Sequence, residues 1–342
     1  MLRESLLYLS QSVTANKVVT GTPIARRLAE RFVAGETIED AIRAARASNE
    51  QGLSVSLDFL GEGVGSRDEA VEATETAIST LEALASHGVD GNISLKPTQL
   101  GLDLDPELCR ANIERVLTRA RELGDGEGEI FVRLDMEASD YTERTVSLVE
   151  TLWADGHRNV GTVLQSYLHR TPDDIERMIA LGSRVRLVKG AYMEPATVAY
   201  EAKDEVDQKF VEEMQTLLSR GTYPAIATHD EAMIDATRRY AFEQGISKQS
   251  FEFQMLYGIR RDLQVMLREE GYRVRVYIPF GASWYPYLMR RMAERPANFF
   301  FVAGSVLRES PASHLAKPGA LGAGIIAGAL GTLLWRSRRN HR

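Results

Sequence analysis

Eight short β-rich runs recur along the chain from residue 53 onward, and most are followed by an amphipathic helix pattern. The runs are L-S-V-S-L-D-F-L, N-I-S-L-K-P, E-I-F-V-R-L-D-M-E, V-G-T-V-L-Q-S-Y, V-R-L-V-K-G-A-Y, Y-P-A-I-A-T-H, F-E-F-Q-M-L-Y and Y-R-V-R-V-Y-I-P-F. They begin near residues 53, 92, 129, 160, 185, 223, 251 and 272. Helix patterns between them, such as D-E-A-V-E-A-T-E-T-A-I-S-T-L-E-A-L-A, repeat apolar residues at three- and four-residue steps. Eight β-α units over about 250 residues are what a (β/α)8 TIM barrel requires, a single α/β domain. A doubly wound sheet rarely needs eight units, and G-E-G-V-G-S after the first run lacks the dinucleotide-binding spacing. The rhythm divides the chain into an N-terminal helical segment (1–50), a barrel (51–305) and a tail (306–342). In the first of these, helices are expected after Thr22-Pro23 and after Thr37.

Bulk properties exclude several functions. With 342 residues and 44% hydrophobic composition the chain can bury a large core. A net charge of -7 argues against a general nucleic-acid binder, although it leaves room for local basic pockets. The single cysteine, Cys109, rules out an internal disulfide scaffold and fits a reducing, cytoplasmic setting. The first residues carry an early glutamate and no sustained apolar region, so no signal peptide is read there. Residues 318–335 are nearly free of polar side chains and are followed by R-S-R-R-N-H-R. That segment reads as a docked or flexible tail, an interfacial anchor on the inner face of the cell membrane, or a short spanning helix.

Catalytic residues of such a barrel collect at the C-terminal ends of the strands. Read in register, the strand ends and following loops supply Asp58 and Glu62, Lys96, Arg133 and Asp135, and Gln165. Further on come Arg186, Lys189 and Tyr192, then Thr228, His229 and Asp230, then Gln254 and Tyr257, and finally Tyr277. Lys96 and Lys189 interrupt apolar strands, and a buried lysine needs a partner. The ordinary alternative for Arg133 and Arg186 is pairing with barrel carboxylates; for Glu62 it is a solvent-facing loop, and for His229 a structural role. No metal site is expected, since neither His-x-His nor H-E-x-x-H occurs.

The helix after the eighth strand, Y-L-M-R-R-M-A-E-R-P-A-N (287–298), sharpens this reading. Tyr287 lies three and four residues before Arg290 and Arg291, so it flanks both on one face, and Glu294 can hold either guanidinium. A planar guanidinium fork suits a carboxylate. The residue set fits a small zwitterion: Lys96 and the arginine pair for its carboxylate, Asp135 to balance the charge, and tyrosines as walls. No nucleophile with a base is evident, and G-x-S-x-G is absent, so the chemistry is expected to come from a cofactor.

Six motifs in one order carry a resemblance: R-L-D-M-E (133–137), R-V-R-L-V-K-G-A-Y (184–192), A-I-A-T-H-D (225–230), F-E-F-Q-M-L-Y-G (251–258), V-R-V-Y-I-P-F-G (274–281) and Y-L-M-R-R-M-A-E-R-P-A-N (287–298). Over about residues 52–303 the chain resembles proline dehydrogenase in its monofunctional bacterial form. The resemblance implies a distorted barrel with non-covalently bound FAD, oxidation of L-proline to Δ1-pyrroline-5-carboxylate, a membrane quinone as electron acceptor, and a separate pyrroline-5-carboxylate dehydrogenase. It implies that Arg186 lies near the reactive edge of the flavin. Gln165, Lys189, Gly190, Ala191, Tyr192, Thr228, His229 and Gln254 would contact the cofactor. Lys96, Asp135, Tyr277, Tyr287, Arg290 and Arg291 would form the substrate pocket, with Glu62 and Arg290 as a gate. Met193 departs from the pattern, standing where larger bifunctional relatives carry an aromatic residue.

Overall fold

A computed structural model describes residues 29–61, 63–124 and 129–294, without the side chains of 293 and 294. Most of the expected helix after Thr22-Pro23 (up to residue 28), the gate residue Glu62, the side chain of Glu294 and the whole tail lie outside the described residues. Eight parallel strands close into a barrel in sequence order: β1 (Ser54–Phe59), β2 (Gly91–Leu95), β3 (Val132–Leu134), β4 (Val160–Gln165), β5 (Val185–Val188), β6 (Ala225–Ala227), β7 (Glu252–Leu256) and β8 (Arg273–Phe280). Closure is the pairing of β1 with β8, running from Ser54↔Arg275 to Phe59↔Phe280.

Among the described residues the α-helices are α1 (Ile38–Asn49), α2 (Arg67–Ser86), α3 (Pro106–Glu122), α4 (Thr142–Ala154), α5 (Thr171–Leu181), α6 (Lys203–Arg220), α7 (Glu231–Glu243), α8 (Arg261–Glu269) and α9 (Trp284–Glu294). Their starts are chemically specified. Thr37 caps α1 in a capping box with Asp40, Ser66 caps α2, Asp105 followed by Pro106 opens α3, and Asp230 caps α7.

Residues alternate in character along the strands. Val55 and Leu57 of β1, Ile93 and Leu95 of β2, Val132 and Leu134 of β3, and Phe253 and Met255 of β7 are buried in the apolar core shared with the helices. The residues between them (Ser56, Asp58, Ser94, Arg133, Glu252, Gln254) are also buried, yet polar. Successive side chains on a strand point to opposite faces, so the helices pack on an aliphatic outer wall while the barrel interior is polar. Barrel interiors are more often filled by layers of Val, Ile and Leu. Here they are filled by a hydrogen-bonded network, and that network leads into the site.

Two strands, β6 and β3, start later than the sequence pattern suggests. Tyr223 has a left-handed backbone (φ 45°) and Pro224 has no N–H, so the β6 ladder starts only at Ala225. Before β3, the N–H of Ile130 bonds the carbonyl of Ala120 in α3 instead of a neighbouring strand.

The helix after Thr37 is not a mere preface. α1 packs against both β1 and β8, covering the seam where the barrel closes. With that groove filled, α9 lies elsewhere. Trp284, Tyr285, Tyr287, Leu288 and Met289 of α9 cluster with Ala29, Val33 and Leu60, and with Phe32 and Tyr277. Since Tyr277 and Leu60 belong to the C-terminal ends of β8 and β1, α9 roofs the barrel mouth. The strap formed by residues 29–35 is tied to the same end: Ala34 N–H donates to Pro279 O at 2.9 Å and Gly281 N–H to Gly35 O at 2.9 Å.

Candidate active site

A cavity of about 610 Å³ opens at this end of the barrel. Lys96, Asp135, Gln165, Arg186, Lys189, Gly190, Ala191, Tyr192, Thr228, His229, Gln254, Tyr277, Tyr287, Arg290 and Arg291 all line it. Every residue that the resemblance assigns to cofactor or substrate is thus brought to one site, save Glu62, which is outside the described residues. Two of the strand-end residues, Arg133 and Tyr257, are not among those lining the cavity. Arg133 is buried within the barrel, where its Nη1 donates to Thr162 O at 3.2 Å.

The floor is a charge-balanced cluster. Arg186 donates from Nη1 to Asp135 Oδ1 at 2.8 Å, from Nη2 to Ser94 Oγ at 3.1 Å, and from Nε to Gln254 Oε1. Tyr277 OH donates to the other oxygen of Asp135 at 2.9 Å, and the Arg186 guanidinium lies 5.1 Å from the Tyr277 ring centroid. Lys96 Nζ donates to Asp58 Oδ1 at 2.7 Å and stands 3.9 Å from Asp135 Oδ2. Two cations therefore face two carboxylates. Burial alone would lower the Lys96 ammonium, but Asp58 and then Asp135 reverse this and hold it well above its ordinary value. Burial likewise raises the Asp58 carboxyl, with Lys96 opposing and Asp135 reinforcing. Burial and Asp135 keep the Tyr277 hydroxyl protonated.

Arg290 and Arg291 on the roof add cationic charge over this neutral floor. Arg291 stacks on Tyr287, its guanidinium 5.1 Å from the ring centroid, which confirms that the two share a face of α9. The planar guanidinium forks of these two arginines are groups able to take a carboxylate.

The opposite flank is built differently. Lys189 is held by Asp207 at 2.5 Å and Asp230 at 2.8 Å. Gln165 donates to the Glu137 carbonyl at 2.9 Å. The Leu256 N–H donates to His229 Nε2 at 2.8 Å, so that nitrogen is unprotonated and His229 carries its proton on Nδ1. Gly190 has φ +115°, and a Cβ there would come within 2.2 Å of the Tyr167 ring. The turn can therefore present its backbone to the cavity only as glycine. Met193 is 61% exposed and does not line the cavity.

Some lining residues escaped the strand-end reading. Arg31 and Phe32 come from the strap before α1. Their approach is close: a Cβ at Gly258, whose φ is +74°, would fall 1.8 Å from Arg31 O. That glycine was the available signal for the contact. Asp58 was visible as a strand-end acid, but its pairing with Lys96 was not.

The family profile described as Proline dehydrogenase matches residues 41–303. The chain belongs to the proline dehydrogenase family. It is 44% identical over 285 residues to Proline dehydrogenase of Deinococcus radiodurans, covering 82% of this chain and 90% of that one. It is 40% identical over 311 residues to Proline dehydrogenase 1 of Bacillus subtilis (strain 168), covering 90% of this chain and all of that one. The Bifunctional protein PutA of Escherichia coli (strain K12) is 29% identical over 349 residues, but these are only 26% of its length. In three dimensions the fold is similar to proline utilization A from Bdellovibrio bacteriovorus, with a TM-score of 0.74, 24% identity, and coverage of 94% of this chain and 39% of that one.

Proposed function

We propose that this chain is an FAD-dependent L-proline dehydrogenase that forms Δ1-pyrroline-5-carboxylate and passes its electrons to a membrane quinone. Among the site's features, the cationic roof of Arg290 and Arg291 over the Lys96–Asp58 and Arg186–Asp135 floor supports this most directly. It fits an amino acid bound by its carboxylate, with its ring against Tyr277 and Tyr287.

The residues also fit a flavin. The cavity is in the range that encloses a cofactor-sized ligand, well beyond an amino acid alone. Its flank offers Lys189, Gln165, Thr228 and Gln254, with the Gly190 turn presenting backbone where a side chain would collide. FAD, when bound, supplies the hydride acceptor. The protein's own work is orientation and electrostatics. Proline loses a hydride from C5 and a proton from nitrogen as the C=N bond forms. Cations gathered about its carboxylate favour loss of that proton. Arg186, held on two sides, would stabilise negative charge on the reduced cofactor.

Cytoplasmic location, with peripheral attachment to the inner face of the membrane, suits a quinone acceptor. Among the described residues no helix is long and apolar enough to cross a membrane. The product is expected to pass to a separate pyrroline-5-carboxylate dehydrogenase.

Anaerobic addition of proline to the yellow protein should bleach the flavin band. A folded, colourless preparation that never takes up added FAD would overturn the proposal. Rates on hydroxyproline and pipecolate that exceed the rate on proline would move the assignment to a related cyclic amino acid.

A further inference from the structure

The F-E-F-Q-M-L-Y-G motif contains a buried acid for which the site gives no role. Glu252 lies outside the cavity lining and is 2% exposed. It is two residues before Gln254 on β7, so both side chains enter the barrel interior. Its carboxylate accepts from Arg275 Nε at 3.0 and 3.1 Å, from Tyr223 OH at 3.3 Å, and from Gln254 Nε2. Arg275 in turn donates to Val55 O at 2.8 Å, which ties β7 through β8 to β1.

The consequence runs upward. An amide has one donor end and one acceptor end. Because Glu252 accepts from the Gln254 NH2, the Gln254 oxygen must face the other way, and there it accepts from Arg186 Nε. Asp135 fixes the far edge of the same guanidinium at 2.8 Å. We propose that Glu252 is a positioning residue for Arg186, acting through the Gln254 amide, and so sets where the guanidinium stands against the cofactor. This rests on the reading of Arg186 as a neighbour of the flavin.

Glutamine at 252 cannot replace the acid. Oε1 of the acid accepts from both Arg275 and Gln254, and Oε2 from Arg275 and Tyr223; a glutamine oxygen can take only one of these places, and its NH2 then faces either the Arg275 Nε–H or the Gln254 NH2. With its NH2 turned toward Gln254, away from the Arg275 Nε–H, the Gln254 amide flips and sets NH2 against Arg186 Nε. A misplacement of this kind costs about tenfold to a hundredfold in rate.

The test compares Glu252→Gln, Glu252→Asp and Gln254→Met as FAD-loaded proteins. Glu252→Asp keeps the counter-charge for Arg275 should the glutamine variant fail to fold, and Gln254→Met removes the relay while leaving Glu252 in place. The expected result for Glu252→Gln is a kcat for proline lowered by about tenfold or more, with KM little changed. The flavin reduction potential, measured without proline, should shift negative. Gln254→Met should do the same, and the Glu252→Gln/Gln254→Met double variant should add little to either. A crystal structure of the glutamine or aspartate variant should show Arg186 swung away from Gln254, with the hydrogen bond between them broken. Wild-type potential and kcat in a folded, flavin-loaded Glu252 variant, or an unmoved Arg186 in its crystal structure, would overturn the inference. A wild-type protein that proline does not bleach would instead refute the proposed function, leaving the potential and the crystal structure to decide this one.

Discussion

Lys96→Met should destabilise the protein in a pH-dependent way that Asp58→Asn largely reverses. Asp58 is 1% exposed, its Oδ1 takes the Lys96 ammonium at 2.7 Å, and its Oδ2 has no hydrogen-bond partner among the described residues. Methionine fills the lysine stem but leaves this carboxylate unpaired, with Asp135 as a second anion nearby. Removing one partner of a buried pair costs about 3–5 kcal/mol. At roughly 2–4 °C per kcal/mol for a domain of this size, Tm should fall by on the order of 10 °C near neutral pH. The sign with pH follows from burial, which already raises the Asp58 carboxyl. Without Lys96 it rises further above its unfolded value. Such a group contributes stability that is fully present below the unfolded pKa and is lost as pH rises through the folded pKa. The variant should therefore approach the wild type in mild acid and diverge from it as pH rises. Thermal melts of the wild type, both single variants and the double variant, from pH 5 to 8.5, measure the coupling directly. A Lys96→Met protein with wild-type Tm across that range, or one that Asp58→Asn does not rescue, would refute the pairing argument.

Arg291→Met should act on binding rather than on stability, raising the proline KM by about tenfold to a hundredfold through loss of a charge-assisted pair; unchanged proline kinetics would remove it from the carboxylate clamp. Glu213 on α6 is 4% exposed, neither of its oxygens has a hydrogen-bond partner among the described residues, and burial pushes it up to about 8 against weaker opposition from Ser166 and Lys209. Its raised folded value means that wild-type stability should decline as pH climbs from about 4.5 through about 8, whereas Glu213→Gln should flatten that decline and be the more stable protein at pH 9 by a few kcal/mol. Gly190→Ala should lower flavin retention through dialysis, since its Cβ would strike Tyr167 and its backbone is left-handed.

The parts of this protein legible in its sequence are those set by local periodicity. Alternation and helix spacing yielded the strand count and order, and the strand-end rule then pointed to Lys96, Asp135, Arg186 and Tyr277 at one mouth. Pairings were not legible, because they join residues remote in sequence. Arg186 meets Gln254 across 68 positions and Asp135 across 51, and a residue type alone does not choose among several acids and amides. Ladder lengths failed where a single backbone feature overrode β-propensity, as at Tyr223-Pro224. The strap residues Arg31 and Phe32 were missed for a related reason: they precede the barrel, and the strand-end rule looks only within it.

The same strap and α1 explain how an arginine pair after the last strand comes to roof the site. In a regular (β/α)8 barrel the helices form an outer ring, each covering the strands beside it. Here the seam between β8 and β1 is covered by α1, whose Ala41, Ile42 and Ala45 join the main core. The helix that follows β8, α9, is thereby left without that outer groove. Its apolar face, Trp284, Tyr285, Leu288 and Met289, is buried instead with Ala29 and Val33 of the strap and with Leu60 at the end of β1. That burial turns the remaining face, carrying Tyr287, Arg290 and Arg291, toward the cavity. Floor and roof then do different work. The floor charges neutralise one another and are immobilised by strands, which suits groups that must hold a fixed place beside a reacting bond. The roof charges stand on one helix after Gly281, whose φ of 118° makes the turn from β8, and their planar guanidinium forks suit an incoming carboxylate.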